Sequence, residues 1–401
     1  MNCLIRPDAS HQLRLLGVDP DDFVQLRRRL HAHPELGFQE ERTSALVAES
    51  LAQWGYAVER GIGGTGVVGQ LKRGRGSRHI GIRADMDALP MGEESGQPWT
   101  SQVQGVMHAC GHDGHTAMLL CAAKALAAEP SLNGTLTLIF QPAEEVGGQR
   151  SGAVRMIEDG LFEKYPVDAI FAMHNIPAMA QGVLAFRDGA AFAASDRAVV
   201  TLTGKGGHGA MPHWAADPVV CAASLVMALQ TVVSRNVDPA KTAVVTVGCL
   251  RAGSSDNVIP QEAHLALSIR ALEPAVRDLL EKRIYELARD QARSFGVHAD
   301  VNYIRGYSPL INSSSETSFA RQVAIELVGL DNTIAQHPPF TGSEDFAFML
   351  ERKPGCYLLI GNGETGLPGG CMVHSPNYDF NDDNVAVGAA FWHLLAKRHL
   401  A

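Results

Sequence analysis

The chain has 401 residues, 46% hydrophobic and 19% charged. This ordinary globular mixture excludes disorder as the main state and, at ~100–200 residues per domain, allows two domains or three. With 34 basic against 43 acidic side chains the net charge is −9, so no basic surplus exists to neutralise phosphates, which argues against nucleic-acid binding.

No uninterrupted apolar run approaches the ~18 residues of a membrane helix. The start, MNCLIRPDASHQ, has too short an apolar stretch for a signal peptide, and Cys3 lacks the apolar lead-in of a lipid-anchored cysteine. The expected location is therefore cytoplasmic. Seven cysteines, an odd number without a CxxC pair, do not form a disulfide framework pattern. The 16 histidines are more informative, because they cluster in short glycine-rich phrases.

Residues 21–54 carry a helix, a turn and a helix. Val24, Leu26 and Leu30 lie on the first, which Pro34 ends. Strands are expected over Gly66–Leu71 and His79–Ala84. A helix follows over His112–Ala128, with Met118, Leu119, Ala122 and Leu126 on one face. Thr135–Phe140 is a strand, Ala153–Asp159 begins a helix, and Asp168–Met173 is a buried-type strand. Strands alternating with helices predict an α/β fold with a mostly parallel sheet covered on both faces.

The pattern changes near residue 190. Strand Ala198–Thr203, helix Asp217–Ser234, strands Ala243–Leu250 and His264–Arg270, helix Pro274–Phe295 and strand Val297–Tyr303 give the order β-α-β-β-α-β. That order is ferredoxin-like. Helix Glu316–Val328, strand Cys356–Ile360 and helix Asn381–Arg398 then return to the first style. The expected division is a catalytic domain in two parts, 1–190 and 305–401, interrupted by an inserted α+β domain, 191–304. No internal repeat or low-complexity tract is present.

Four phrases stand at strand ends or just beyond: HACGHDGH (108–115), QPAEE (141–145), MHN (173–175) and HSP (374–376). Open α/β sheets bind ligands outside the carboxyl ends of their strands. A thiolate, imidazoles and a carboxylate from Cys110, His112, Glu145, His174 and His374 suit Zn²⁺ and similar divalent ions. Five such groups exceed one tetrahedral site, and two ions would use them. On an extended segment Glu144 and Glu145 point to opposite sides, so one carboxylate can bind metal while the other serves as general base.

Each residue also has an ordinary structural reading. Cys110 alone would be a small core residue, and His112 and His115 could cap a helix. Glu144 and Glu145 could be a solvated pair, His174 a satisfied core histidine, His374 a turn residue. Taken together, with two phrases at strand ends, they point to one metal site.

The phrases HAHPELGFQE, RADMDALP, HACGHDGHTAMLL, FQPAEE, MHN, GKGGHGAMPH, SSDNVIP, GSEDF and HSPNYDF occur in this order from residue 31 to 380. Together they resemble the two-metal amidohydrolase and carboxypeptidase family of the aminoacylases. Within it, the resemblance is to the branch of hippurate hydrolases, indole-acetyl-amino-acid hydrolases, N-acyl-amino-acid amidohydrolases and N-acetyl-diaminopimelate deacetylases. The resemblance implies a two-metal α/β catalytic domain and a ferredoxin-like lid that often makes a dimer.

By motif it implies Cys110, His112, Glu145, His174 and His374 as metal ligands and Glu144 as general base. Many relatives have a metal-binding His two residues before an aspartate, where this chain has Asp85 before Asp87. The departure removes that ligand, and Cys110 takes its place. Asp87 then orients a histidine, or is a strand-end turn carboxylate. The resemblance makes His208 a donor to the developing oxyanion, in its own or a partner's site, where read alone it is a surface loop histidine. Asn257 resembles a lid residue that contacts substrate. Arg270 either pairs with a substrate carboxylate or forms a surface ion pair. Ser343-Glu344-Asp345 is expected to cap a helix beginning at Phe346. His31, His33 and Glu35 are assigned to structure.

The expected enzyme hydrolyses the amide of an N-acyl amino acid with two divalent ions per subunit, Zn or Mn foremost, Co or Ni as alternatives. It acts on a small molecule, without nucleic acid or membrane, as a homodimer or homotetramer. Alternatives are a dipeptidase, carboxypeptidase or N-acetyl-diaminopimelate deacetylase of the same family. More remote are a cysteine-dependent amidase with Cys110 as nucleophile and a non-catalytic metal or peptide-binding module.

Overall fold

The structure, a computed structural model, describes residues 9–401, so Cys3 and the stretch before Ala9 lie outside the described residues. Two compact units are present. The first comprises residues up to 189, 311–338 and 345–401; the second comprises 190–310 and 339–344.

The first unit is built on an eight-stranded sheet. Its strand order is Ala57–Ile62, Gly66–Arg73, Gly134–Gln141, His79–Asp85, Ala169–Pro177, Gly355–Gly363, Leu184–Ala185 and Thr333–Ile334. The four middle strands, from Gly134–Gln141 to Gly355–Gly363, run parallel. They read as continuous apolar runs because both faces are covered: Leu136, Leu138, Phe140, Ile170, Phe171 and Leu358 are fully buried. Two strands at one edge are antiparallel. One of them, Ala57–Ile62, is half-exposed and lacks alternation, so its sequence carries no strand signal.

Helix His112–Ala128 has the predicted bounds but not the predicted single apolar face. Its side chains are buried nearly all round, from His112 to Leu126. The reason is that helices Pro20–Ala32 and Asn384–His399 pack on it as well as the sheet. Gly388 permits the close approach of the last helix: a Cβ there would stand 2.1 Å from Met118 Sδ. Asp19 starts Pro20–Ala32 by accepting from the Asp21 N–H, and Pro34 lies just past its end.

The second unit has its own core. Strands Ala243–Ala252, Glu262–Ala271, Ala194–Thr203 and His298–Tyr307 lie in that order, all antiparallel. In chain order this is 2-3-1-4, the ferredoxin-like arrangement. Buried and open residues alternate along Ala194–Thr203 and Glu262–Ala271, and the buried set packs on helices Pro218–Asn236 and Pro274–Ser294. Pro218–Asn236 is long and apolar enough to cross a membrane by length and composition alone. Here only one face packs on the sheet, with Cys221, Ala222, Leu225, Leu229 and Val232 buried, while Val220 and Met227 are exposed.

Candidate metal centre

Parallel strands deliver their carboxyl ends to one edge, and the chemistry gathers there. Asp87 follows His79–Asp85, and Glu144 and Glu145 follow Gly134–Gln141. His174 stands within Ala169–Pro177, because that strand runs four residues past its predicted end. Cys110 and His112 flank Gly111 at the N-cap of His112–Ala128. Gly111 has φ 92°, and a Cβ there would lie 2.3 Å from Asn175 Nδ2, so only glycine fits. His374 comes from the 374–380 loop, where its N–H donates to Ala109 O at 2.7 Å.

All five predicted ligands and Glu144 come together. The ligand atoms of Cys110, His112 and His174 lie within 4.8 Å of one another, as do those of Cys110, Glu145 and His374, and those of His112, Glu144 and Glu145. Cys110 Sγ is 3.3 Å from His174 Nε2, and His374 Nε2 is 3.1 Å from Glu145 Oε1.

The imidazoles are oriented from behind. His174 Nδ1–H donates to Asn175 O at 2.6 Å, which leaves the Nε2 lone pair facing Cys110. His112 Nδ1 is 3.2 Å from Asp87 Oδ1, and its buried Nε2 has no hydrogen-bond partner. The second Asp87 oxygen accepts from the Glu145 N–H at 2.9 Å. Asp87 thus holds both a histidine and the backbone of the neighbouring carboxylate.

The residues fit a pair of divalent ions. Asp85, Asp87 and Glu144 are buried with Glu145 close by, and Arg83 is the buried fixed cation beside Asp85. Such a concentration of negative charge, with the His112 Nε2 that no hydrogen bond satisfies and that lies 3.7 Å from Asp85 Oδ2, calls for cations. Burial, then Glu145 and Glu144, hold the Cys110 thiol well above its usual range. Burial opposes charging of His112, but Asp85 and Asp87 outweigh it and raise it to about 10. Burial and His115 hold His174 well below the usual histidine range.

Three expectations need correction. Glu144 and Glu145 are not on an extended segment and do not point to opposite sides. Ala143 has φ 52°, and the turn it starts brings both carboxylates towards His112. Asp345 does not cap the helix Phe346–Leu350 with its side chain. It accepts instead from Ala153 N–H at 3.0 Å, in the first turn of helix Gly152–Glu158, and from Arg83 and Gln141. Arg270 forms no ion pair among the described residues; its guanidinium donates to Ile269 O.

Asp85 and His115 were missed as members of the centre. Asp85 Oδ1 is 2.6 Å from His115 Nδ1, and His115 Nε2 accepts from the Asn175 N–H. The spacing of His112 and His115 was the available signal. His31 and Glu35 have structural partners: His31 sits between Asp113 and Glu93, and Glu35 accepts from the Arg42 and Thr43 N–H groups. His33 is the C-cap of its helix.

His208 and Asn257 stand together in the second unit. Gly207–His208 pairs with Val258–Ile259, and Gly209 N–H donates to Asn257 O at 2.7 Å. His208 Nδ1 accepts from the Ala210 N–H at 3.0 Å, so the ring proton sits on Nε2 and is available to donate.

Residues 81–398 match the family model described as peptidase family M20/M25/M40. A hippurate hydrolase of Campylobacter jejuni is 43% identical over 379 residues, 94% of this chain and 97% of the relative. An IAA-amino acid hydrolase of Arabidopsis thaliana is 37% identical, covering 95% of this chain and 87% of its own. The crystal structure of a dinuclear metal-binding M20 peptidase from Bacillus subtilis aligns with a TM-score of 0.84 at 30% identity, over 95% of this chain and 98% of that one. With these matches and this fold, the chain belongs to peptidase family M20/M25/M40.

Proposed function

We propose that the protein hydrolyses the amide bond of N-acyl amino acids, hippurate-like, acetyl or indoleacetyl, to a carboxylic acid and a free amino acid. The observation that carries this reading is the convergence of Cys110, His112, Glu145, His174 and His374 in overlapping clusters, with the buried Glu144 beside His112 and Glu145. The hippurate and IAA-amino acid hydrolases among its relatives support the substrate class.

Cys110, His112, Glu145, His174 and His374 would hold two divalent ions, Zn²⁺ or Mn²⁺ foremost. When bound, the pair polarises the scissile carbonyl and lowers the pKa of the nucleophile. Glu144 takes a proton from the attacking water onto a carboxylate oxygen. It returns that proton to the amide nitrogen as the C–N bond breaks, so the amine leaves neutral. His208 donates its Nε2–H to the developing oxyanion. Asn257 contacts the substrate, and Arg270, without a carboxylate of its own, pairs with the amino-acid carboxylate. In this reading the second unit, expected over 191–304 and found as 190–310 with 339–344, serves as the lid and dimerisation domain.

A second reading is favoured by one distance, the 3.3 Å between Cys110 Sγ and His174 Nε2. It makes Cys110 a nucleophile, but burial and the surrounding carboxylates hold its thiol up, opposite to what a nucleophile needs.

The test is release of amine from N-acetyl, N-benzoyl and N-indoleacetyl amino acids by metal-reconstituted protein. Turnover is expected to vanish with chelator and return with metal. Turnover that resists chelator and fails on alkylation would establish the thiol reading instead. Absence of turnover from metal-loaded protein would overturn both.

A further inference from the structure

The phrase His31–Glu40 supplies none of the proposed ligands, yet its end is built against the turn that presents the proposed base Glu144 and the proposed ligand Glu145. Glu40 is the N-cap residue of helix Glu41–Gln53, but its side chain does not cap that helix. Glu35 caps it instead, through the Arg42 and Thr43 N–H groups. Glu40 is thereby free to serve another part of the chain. Fully buried, it accepts from the Ala143 N–H at 2.8 Å with one oxygen and from the Thr65 hydroxyl at 2.5 Å with the other.

Ala143 is the residue before Glu144, and its φ of 52° is a conformation that alanine disfavours. Residues 35–40 also touch the other turn of the centre. Glu35 O accepts from Ala88 N–H at 2.8 Å, one residue after Asp87. At Gly37 a Cβ would stand 2.7 Å from Val146 Cγ2 and 3.1 Å from Ala143 Cα, so the segment lies directly on the Glu144 turn.

We propose that Glu40 is a positioning residue: it clamps the Ala143 N–H, holds Ala143 left-handed, and so aims Glu144 and Glu145 into the metal centre. The inference rests on the reading of Glu144 as base and Glu145 as ligand. The clamp requires reach rather than charge, because its oxygens must span the Ala143 N–H and the Thr65 hydroxyl.

Glu40→Gln keeps the reach and loses the charge; its amide oxygen accepts from Ala143 and its NH₂ donates to the Thr65 oxygen. Glu40→Asp keeps the charge and loses one methylene of reach. Three quantities are read: amide exchange of the Ala143 peptide in metal-free protein, the Zn²⁺ dissociation constant, and kcat and KM for a hydrolysed N-acyl amino acid. Glu40→Asp is expected to speed that exchange, weaken Zn²⁺ binding by about 10–100-fold and lower kcat by a similar factor, with KM nearly unchanged. Glu40→Gln stays near wild type in all three. Adding Ala143→Gly to Glu40→Asp recovers most of the loss, because glycine adopts φ 52° without a clamp.

The proposal is overturned if Glu40→Gln is as impaired as Glu40→Asp, if Glu40→Asp behaves as wild type, or if Ala143→Gly brings no recovery. Should Glu40→Asp not fold, Thr65→Val loosens the same carboxylate from its far end; unchanged exchange at Ala143 then overturns the clamp. A fully active Glu144→Gln enzyme would break the base assignment alone, since exchange at Ala143 does not depend on it.

Discussion

Glu144 is 7% exposed, and its carboxylate lies within 4.8 Å of the ligand atoms of His112 and Glu145. A carboxylate so placed is suited to hold a proton between two steps of one reaction. Glu144→Gln is therefore expected to lower kcat by ~10²–10⁴ while the metal content stays at wild-type level. Turnover and metal analysis on one sample check this, and retained activity would end the base assignment. That Cys110, His112, Glu145, His174 and His374 come together was legible because thiolate, imidazole and carboxylate are few and clustered in the sequence. Asp345 was not, because its proximity to Phe346 suggested a local cap. Its actual partner, Ala153, lies 192 residues away, and no local pattern reports so distant a hydrogen bond.

Helix His112–Ala128 begins inside the candidate metal centre, so what fixes its N-terminus also fixes two of the proposed ligands, Cys110 and His112. Gly111→Ala would place a methyl against Asn175 and Tyr378 at a φ of 92°. The expected cost exceeds ~1 kcal/mol in denaturant unfolding, accompanied by weaker metal binding. A second anchor is the buried contact of His31 with Asp113, the residue after His112. Burial opposes the His31 charge, but Asp113 overcomes it, raising the group to about 9. The folded protein thus binds this proton more tightly than the unfolded chain. The resulting stability is fully present below about pH 6.5 and is lost as pH rises through about 9. His31→Gln should accordingly show its largest Tm deficit at low pH, shrinking towards pH 9; a deficit independent of pH would refute the charged pair. Helix existence was legible from periodicity. That His112–Ala128 is buried all round was not, because alanines, Met118 and Cys121 give a weak periodicity when every side is covered.

At the scale of the whole molecule, the alternation of strands and helices made the parallel sheet legible, and the change of pattern near residue 190 marked a different architecture. The short return of 339–344 to the second unit was invisible, since six residues carry no periodicity. The carboxylates of the first unit repel one another until cations are bound, so metal should stabilise the fold. An ion at a hundredfold excess over its dissociation constant adds ~2.7 kcal/mol. Chelator is expected to lower Tm by several degrees and added Zn²⁺ to restore it in a concentration-dependent way; a Tm indifferent to metal would contradict a centre held by these residues.

The order of strands in the large sheet also governs how the chain is made. Strand Gly355–Gly363 pairs with Ala169–Pro177 at the middle of the sheet, although 177 residues separate the end of one from the start of the other. On a ribosome adding ~5–20 residues per second, Ala169–Pro177 waits roughly 10–40 s with one side unpaired. An apolar strand edge left open that long invites pairing with other nascent chains. His374 emerges later still, so a chain stalled before it would carry four of the five proposed ligands and an incomplete cluster. The ability to assemble the full cluster is thus a property only of chains whose synthesis has passed residue 374.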